Sequence, residues 1–578
     1  MSPSAPPPPT SDELANAFDA AHRWLARDPD PETSGGLKAL LKAAEDDPTG
    51  EAAREVVGLF NGRIAFGTAG LRAALGPGPN RMNRLVVRQT TVGLMHWLDA
   101  QGTPNPVVVI GYDARHGSKN FAADTAGVVA SLGGRALVLP GPLPTPVLAY
   151  SVLARSADAG VMITASHNPP ADNGYKLYLS DGIQLVSPAD VEIARAIHVV
   201  AAGDLPPIDL EHANIERLGD QAVAGHLDAA VGALRSTPRE VRTVYTAMHG
   251  VGGQHLLRAF ERAGFPAPDV VAEQFDPDPD FPTAAFPNPE EPGALDLALA
   301  LAEQVGAQLV VANDPDADRL ALAIPARAGS SGAAFVPLTG DQIGVLLADH
   351  LLRHTSGEDR MVSNSIVSSQ LLGQMAAAHG VEHIETLTGF KWVARPIVDR
   401  PDRRLVIGYE EALGYCVGDA VRDKDGISAA LVAAEMVADA LAQGETLWDR
   451  LDRLALIHGL HLTGPVTVRL PGDDGMARRS ALLAELVAEP PASLGGAALV
   501  DHLDLSLGRD LPPTPGFVMR FDDGTRVIVR PSGTEPKLKS YIEVVEPVGG
   551  AEDLSTARER ARARLERFQT ELDQRFSS

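Results

Sequence analysis

The chain has 578 residues, 44% hydrophobic and 22% charged, the balance of a soluble globular protein of about four domains. A formal charge of −25 argues against nucleic acid and against a membrane surface as partners, and no uninterrupted apolar run is long enough to span a bilayer. The one cysteine, Cys416, reads as a small buried residue, excludes an internal disulfide and suits a reducing, cytoplasmic setting.

From the N-terminus, MSPSAPPPPT has no basic start and no apolar centre, so it reads as a Pro-rich tail and not as a secretory signal. Thr10 and Glu13 then have the spacing of a capping box that opens a helix. FGTAGLR, residues 66–72, is a Gly-rich stretch that can bring the Arg72 guanidinium to a phosphate. VVVIG (107–111) is a strand leading into an acidic loop, YDARHGS.

A second apolar run, DAGVMI (158–163), predicts a buried strand, and TASHNPPADNGYK (164–176) follows it. Pro169 and Pro170 forbid a helix there, so an exposed Ser166 is expected on a loop at the carboxyl end of a strand. A hydrolase elbow would need G-x-S-x-G, which is absent. In an extended segment His167 points away from Ser166, which argues against a protease-type pair.

LVVA (309–312) leads into NDPDADR, with Asp314, Asp316 and Asp318 at alternating positions. Three carboxylates so close repel unless a cation sits among them, and their oxygens suit Mg²⁺. An EF-hand would need Gly and Glu where Arg319 and Pro325 stand. A solvated acidic turn is the plain alternative. GDQIGVLLADHLL (340–352) and ISAALVAAEMVADALA (427–442) read as helices on either side of a third strand, LVIG (405–408). That strand leads into YEEALGY, where Glu410 can bind sugar hydroxyls, and VRDKDG beyond it offers Lys424 to a phosphate.

IHGLHLTGP reads as a connection to a different C-terminal part. GFVMRF and TRVIVR form a hairpin around Asp522, Asp523 and Gly524, followed by a strand (540–545) and a charged helix (555–575). The hairpin ends in RPSGTEPKLK, where Arg530, Ser532, Gly533, Thr534, Lys537 and Lys539 make an anion cradle without being a P-loop. An acidic protein has thus gathered one basic pocket. A cation site and an anion cradle together point to phosphoryl chemistry, with Ser166 as the carrier.

The strand-then-acidic-loop recurrence predicts three related α/β domains and a smaller α+β domain. The expected ranges are 1–60 for the tail and N-terminal helices, 61–205 for the serine domain and 206–328 for the metal domain. Residues 329–455 should form the sugar domain and 456–578 the phosphate domain.

Taken together and in this order, TASHNPP, NDPDADR, EEALGY and RPSGTEPK resemble the α-D-phosphohexomutase superfamily, the phosphoglucomutase and phosphomannomutase enzymes. The resemblance runs from about residue 60 to the C-terminus. FGTAGLR, TLTGFKW (386–392) and EEALGY are most similar to the branch with cytosolic phosphoglucomutases and phosphopentomutases.

The resemblance implies three similar α/β domains with mixed, largely parallel sheets and a smaller C-terminal α+β domain around a central cleft. It implies phosphorylation of Ser166, with Mg²⁺ held by phosphorylated Ser166 and by Asp314, Asp316 and Asp318. His167, Arg72 and Lys424 match positions near the moving phosphate. Thr388, Gly389, Glu410 and Arg319 match substrate-binding positions, and Lys176 a support of the serine loop. Arg530, Ser532, Gly533, Thr534 and Lys539 match the pocket for the phosphate that stays.

Two departures concern the substrate. Ala412 stands where many relatives have Ser, and Lys539 where many have Arg. The expected reaction interconverts glucose 1-phosphate and glucose 6-phosphate through a bisphosphate, such as glucose 1,6-bisphosphate, which also serves as activator. A phosphopentomutase or phosphomannomutase is the near alternative, and a metal-dependent phosphatase or silent sugar-phosphate sensor the remote one. The expected partners are phosphosugars, with a monomer as the starting expectation.

Overall fold

The apolar runs fold as the alternation demands. VVVIG lies in the strand Val107–Tyr112, DAGVMI in Ala159–Ile163, LVVA in Leu309–Ala312 and LVIG in Arg404–Glu410. A computed structural model describes residues 8–577, apart from 328, 330, 331, 473, 510 and 533–535. Contacts group the chain into two units. The first holds 1–234, 239–325 and 420–434, and the second 235–238, 326–419 and 435–578.

The first unit opens with three helices, Ser11–Leu25, Pro31–Asp46 and Glu51–Phe60. The capping box forms as expected, with Thr10 Oγ1 accepting from Glu13 N and the Glu13 carboxylate accepting from Thr10 N at 2.8 Å. Trp24, Leu37, Leu41 and Val56 bury the apolar faces of these helices in the same core as the sheet residues Ile110, Val161 and Tyr175. That sheet runs, in spatial order, Leu71–Ala74, Asp172–Leu179, Ala159–Ile163, Val107–Tyr112, Arg135–Pro142 and Ile215–Arg217. The last four strands are parallel, while Asp172–Leu179 is antiparallel to both of its neighbours. A second sheet of this unit orders Ala321–Pro325, Leu309–Ala312, Thr243–Thr246 and Asp269–Val270.

In the second unit, Glu382–Thr386, Arg360–Ser365 and Arg404–Glu410 pair in parallel, and Gly414–Val417 adds an antiparallel edge. The C-terminal sheet is antiparallel throughout, in the order Leu460–Arg469, Lys537–Glu546, Arg526–Pro531, Phe517–Phe521, Ala497–Asp504 and Ser493–Leu494. The helix Leu554–Ser577 covers it with Ala561, Leu565, Phe568 and Leu572. The expected hairpin is present, with Gly524 at φ 83 in its turn. The expected connection at IHGLHLTGP is shorter than it reads. The helix Leu447–His458 ends and the strand Leu460–Arg469 begins with only Gly459 between, at φ 86, because Leu460 onward pairs with Lys537–Glu546.

The fold is therefore three α/β domains with mixed sheets and a C-terminal α+β domain, as the strand pattern predicts. Among the described residues no single helix is long and apolar enough to cross a membrane.

Candidate active site

The strand Ala159–Ile163 is buried along its whole length, and its carboxyl end sets the position of Ser166. Ser166 stands at φ 52, in the left-handed region, which a residue with a β-carbon keeps only when its surroundings hold it. Thr164 Oγ1 accepts from Ser166 N at 2.9 Å. The buried Arg115 guanidinium donates to the carbonyls of Ser166 (2.6 Å), Asn168 (2.5 Å), Pro169 (2.8 Å) and Asp172 (3.2 Å). Asp113 balances this cation at 3.4 Å, and the Phe281 ring lies 4.8 Å from it. One planar donor on four carbonyls gives a two-proline loop a single shape.

Ser166 is only 3% exposed, so the expectation of an exposed serine is corrected. The metal loop covers it, and Ser166 Oγ donates to Asp314 Oδ2 at 2.8 Å. The expected divergence of Ser166 and His167 is also corrected. It assumed an extended backbone, whereas positive φ at Ser166 brings His167 Nδ1 to 3.3 Å from Oγ. Burial, with Arg319 and Arg72 adding to it, pushes the His167 imidazole well below its usual pKa, so the ring is neutral. Arg72 lies opposite Gly174 in the sheet and donates to Asn168 Oδ1 at 2.9 Å. Gly70, just before, has φ 77 and would put a β-carbon 1.9 Å from the Tyr175 carbonyl oxygen, so no other residue fits there.

Asp314, Asp316 and Asp318 follow the strand Leu309–Ala312 and are all buried. One carboxylate oxygen of each lies within 4.8 Å of the other two. Lys176 Nζ reaches Asp316 Oδ2 at 2.7 Å and Asp318 Oδ2 at 2.9 Å. Lys424 Nζ sits 3.3 Å from Asp318 Oδ2 and 3.2 Å from Asp423 Oδ1. Thr145 Oγ1 donates to Asp316 Oδ2 at 2.6 Å, and Arg319 N to Asp314 Oδ1 at 2.9 Å.

The three carboxyls are not equivalent. Burial, then the charges of Asp316 and Asp318, drive the pKa of Asp314 well up. Burial also opposes ionisation of Asp316, but Lys176 and Thr145 outweigh it and hold this group below the ordinary carboxylate range. Asp316 Oδ1 and Asp318 Oδ1 are buried with no hydrogen-bond partner. Buried, unpartnered carboxylate oxygens beside an unrelieved repulsion fit a hard divalent cation.

Several supports are invisible in the motifs themselves. Arg115 and Thr145 hold the serine and metal loops through contacts across the chain, and YDARHGS reads only as an acidic loop. Tyr178 OH and Gln184 Nε2 fix Asp423 at 2.5 and 2.8 Å, which places Lys424. Gly426 is required by close approach, since a β-carbon would fall 2.3 Å from the Arg319 carbonyl oxygen.

The remaining expected residues lie in the second unit. Gly389, at φ 103, donates its N–H to Glu410 Oε1 at 2.5 Å, and Thr388 precedes it on the same half-buried turn. Glu411, next to Glu410, accepts from Ser365 Oγ and Ser368 Oγ at 3.1 Å each. Burial, helped by Glu410 and Asp341, pushes its pKa up to about 8. Arg530 and the exposed Lys539 sit opposite each other in the C-terminal sheet. Arg530 Nε is buried with no hydrogen-bond partner. Ser532 N donates to the Lys537 carbonyl at 2.9 Å, and Arg479 binds the Ser532 carbonyl, a contact no motif suggested. Gly533 and Thr534 lie outside the described residues.

Models of the phosphoglucomutase/phosphomannomutase α/β/α domains I, II and III match residues 63–202, 224–327 and 339–455, and that of the C-terminal domain matches 491–555. A Haemophilus influenzae protein named "Probable phosphomannomutase" is 42% identical over 472 residues, 80% of this chain and 93% of that one. The chain belongs to the phosphoglucomutase/phosphomannomutase family. Like other members of this α-D-phosphohexomutase superfamily, it is an intramolecular phosphotransferase, an isomerase. The phosphopentomutase of Pongo abelii is 34% identical over 578 residues, 92% of each chain. The crystal structure of parafusin, a Paramecium phosphoglucomutase, shares the fold at TM-score 0.65 and 19% identity, over 89% of this chain and 97% of that one.

Proposed function

We propose that this mutase works through a phosphorylated Ser166 and interconverts α-D-glucose 1-phosphate and glucose 6-phosphate. The observation that carries the reading is the hydrogen bond from Ser166 Oγ to Asp314 Oδ2, 2.8 Å, which sets the serine against the three carboxylates. Phospho-Ser166 gives its phosphoryl group to the free hydroxyl of a sugar monophosphate. The P–Oγ bond breaks as the new P–O bond forms, and the hydroxyl proton passes to a nearby base, for which His167 is our candidate. The bisphosphate so formed turns round, and its other phosphate returns to Ser166. Asp314, Asp316 and Asp318 would hold Mg²⁺, whose charge offsets that of the phosphoryl oxygens in flight. Lys176 holds Asp316 and Asp318, while Arg115 and Thr164 fix the serine backbone. Arg72, Arg319 and Lys424 supply positive charge to the moving phosphate. Glu410, Thr388 and Gly389 are assigned to the sugar hydroxyls, and Arg530, Ser532, Gly533, Thr534 and Lys539 to the phosphate that stays.

A pentose substrate is the second reading, favoured by the match to a phosphopentomutase over 92% of both chains. We place the enzyme in the cytoplasm as a monomer that needs a sugar bisphosphate as activator. The test is a coupled assay on glucose, mannose and ribose 1-phosphates, with and without the matching bisphosphate. Glucose 1-phosphate should give the highest kcat/KM and depend on the bisphosphate. Faster turnover of ribose 1-phosphate would select the pentose reading, and release of free phosphate would overturn both.

A further inference from the structure

The helix Gly426–Ala442 is apolar for most of its length, yet it carries Glu435 and Asp439 one turn apart. Both belong to the second unit, as does the helix Gly340–His354, which carries His350 and His354 at the same spacing. Glu435 is fully buried, and its carboxylate accepts from Arg235 N (2.8 Å), Ser236 N (2.6 Å) and His350 Nε2 (3.0 Å). A carboxylate only accepts, so Nε2 of His350 carries a proton and Nδ1 is the nitrogen left to ligate an ion. That Nδ1 is buried and has no partner.

The neighbouring groups present lone pairs too. His354 Nδ1 lies 2.8 Å from the His350 carbonyl oxygen and must donate to it, which makes Nε2 its free lone-pair nitrogen. Asp439 receives Arg450 Nη2 at 2.8 Å and Gln443 Nε2 at 2.9 Å, both on Oδ2, leaving Oδ1. One ligand atom from each of His350, His354 and Asp439 lies within 4.8 Å of the other two. His354 is exposed, so an ion and a water ligand can enter from solvent.

A packing role explains Glu435, which ties down two backbone N–H groups, and Arg450, which offsets Asp439. It does not explain a buried imidazole nitrogen without a partner in a residue whose ligand atom lies close to those of two others. We propose that His350, His354 and Asp439 form a second metal site, for a borderline divalent transition metal with Zn²⁺ as the best fit, with Glu435 orienting His350. Two imidazoles and one carboxylate select such an ion over Mg²⁺, which prefers oxygen alone. A carboxylate behind a ligating histidine fixes its tautomer and ring direction. The ion would staple two helices of the second unit and take no part in phosphoryl transfer.

The probe is Co²⁺ added to chelator-stripped, full-length protein in excess Mg²⁺, which fills the three-carboxylate site. One Co²⁺ per chain should bind with the visible absorption of a four-coordinate ion, and Zn²⁺ should displace it. His354→Ala removes an exposed ligand, so the protein should stay folded and keep its mutase activity in Mg²⁺ while losing that absorption. Asp439→Asn should weaken Co²⁺ at least about tenfold, since outer and inner ligands of such sites carry effects of that size. Zn²⁺ should raise the Tm of the wild type by a few degrees and leave that of His354→Ala unmoved. No absorption in excess Mg²⁺, or equal absorption in His354→Ala, overturns the proposal.

Discussion

The candidate sites in the two units treat their charged groups differently. In the first, Ser166, Asp314, Asp316, Asp318, Lys176, Lys424, Thr145 and Arg115 form one network in which nearly every cation already holds an oxygen. In the second, Arg530 keeps a buried Nε without a partner, and Lys539 is exposed. A network built in advance suits a step in which charge must be met without rearrangement. Unpaired donors suit recognition, since the ligand brings the missing acceptors. On this account, changes at the first site lower the rate of transfer and changes at the second alter binding.

The largest effect should come from Ser166→Ala. It removes the phosphoryl acceptor and one hydrogen bond, so kcat should fall by roughly 10³-fold or more while Tm moves by only a few degrees. Mutase assays and thermal melts on the same sample check this.

The metal loop offers a sharper contrast, read by melts in chelator. Asp316→Asn removes one of the two carboxylates that hold the buried Lys176 and should lower the Tm of the metal-free protein. Asp314→Asn relieves repulsion and should raise the Tm of the metal-free protein. Folding raises the pKa of Asp314, so the folded state holds that proton more tightly. Stability in chelator should therefore fall as pH climbs from the ordinary Asp range towards the folded value. Asp316 acts oppositely. Its contribution is present above the ordinary Asp pKa and is lost as pH drops below it. Mg²⁺ should flatten the first slope, and Asp314→Asn should abolish it.

In the second unit, Arg530→Ala should weaken all phosphosugars alike, by about 1.5–3 kcal/mol, the range for a charged hydrogen bond. Glu410→Gln should instead reorder glucose, mannose and ribose 1-phosphates. With Ala412 beside it offering no hydroxyl, Glu410 carries more of that discrimination. Values of kcat/KM for the three sugars distinguish the two roles.

The smallest effect is expected at Arg115. Lys cannot reach four carbonyls at once, so Arg115→Lys should lower kcat by about tenfold and leave Mg²⁺ affinity unchanged. Single-turnover kinetics with a metal titration would show this split.

The legibility of these parts follows from how local their causes are. The strands and the Thr10 capping box were readable because a short apolar run or a four-residue spacing decides them. The Asp triad was readable because three like charges after a buried strand are conspicuous without any fold. Arg115 and Thr145 were not, since their partners lie 51 and 171 positions away. The left-handed turn at Ser166 also escaped, because the loop's own residues do not require it. It is held by Arg115, which lies outside the loop, and with it came the wrong directions for Ser166 and His167. The short link at Gly459 was misread for the same reason, as Leu460 is a strand residue only because residues 537–546 lie beside it.

The most direct test of the account is where the phosphoryl group resides. The full-length protein is incubated with Mg²⁺ and glucose 1,6-bisphosphate, quenched, digested and mapped by mass spectrometry. The account predicts one phosphoryl group, on Ser166, which leaves when glucose 1-phosphate is added and is absent from Ser166→Ala. Full turnover with Ser166 unmodified, or a phosphate that stays on another residue through turnover, would contradict it.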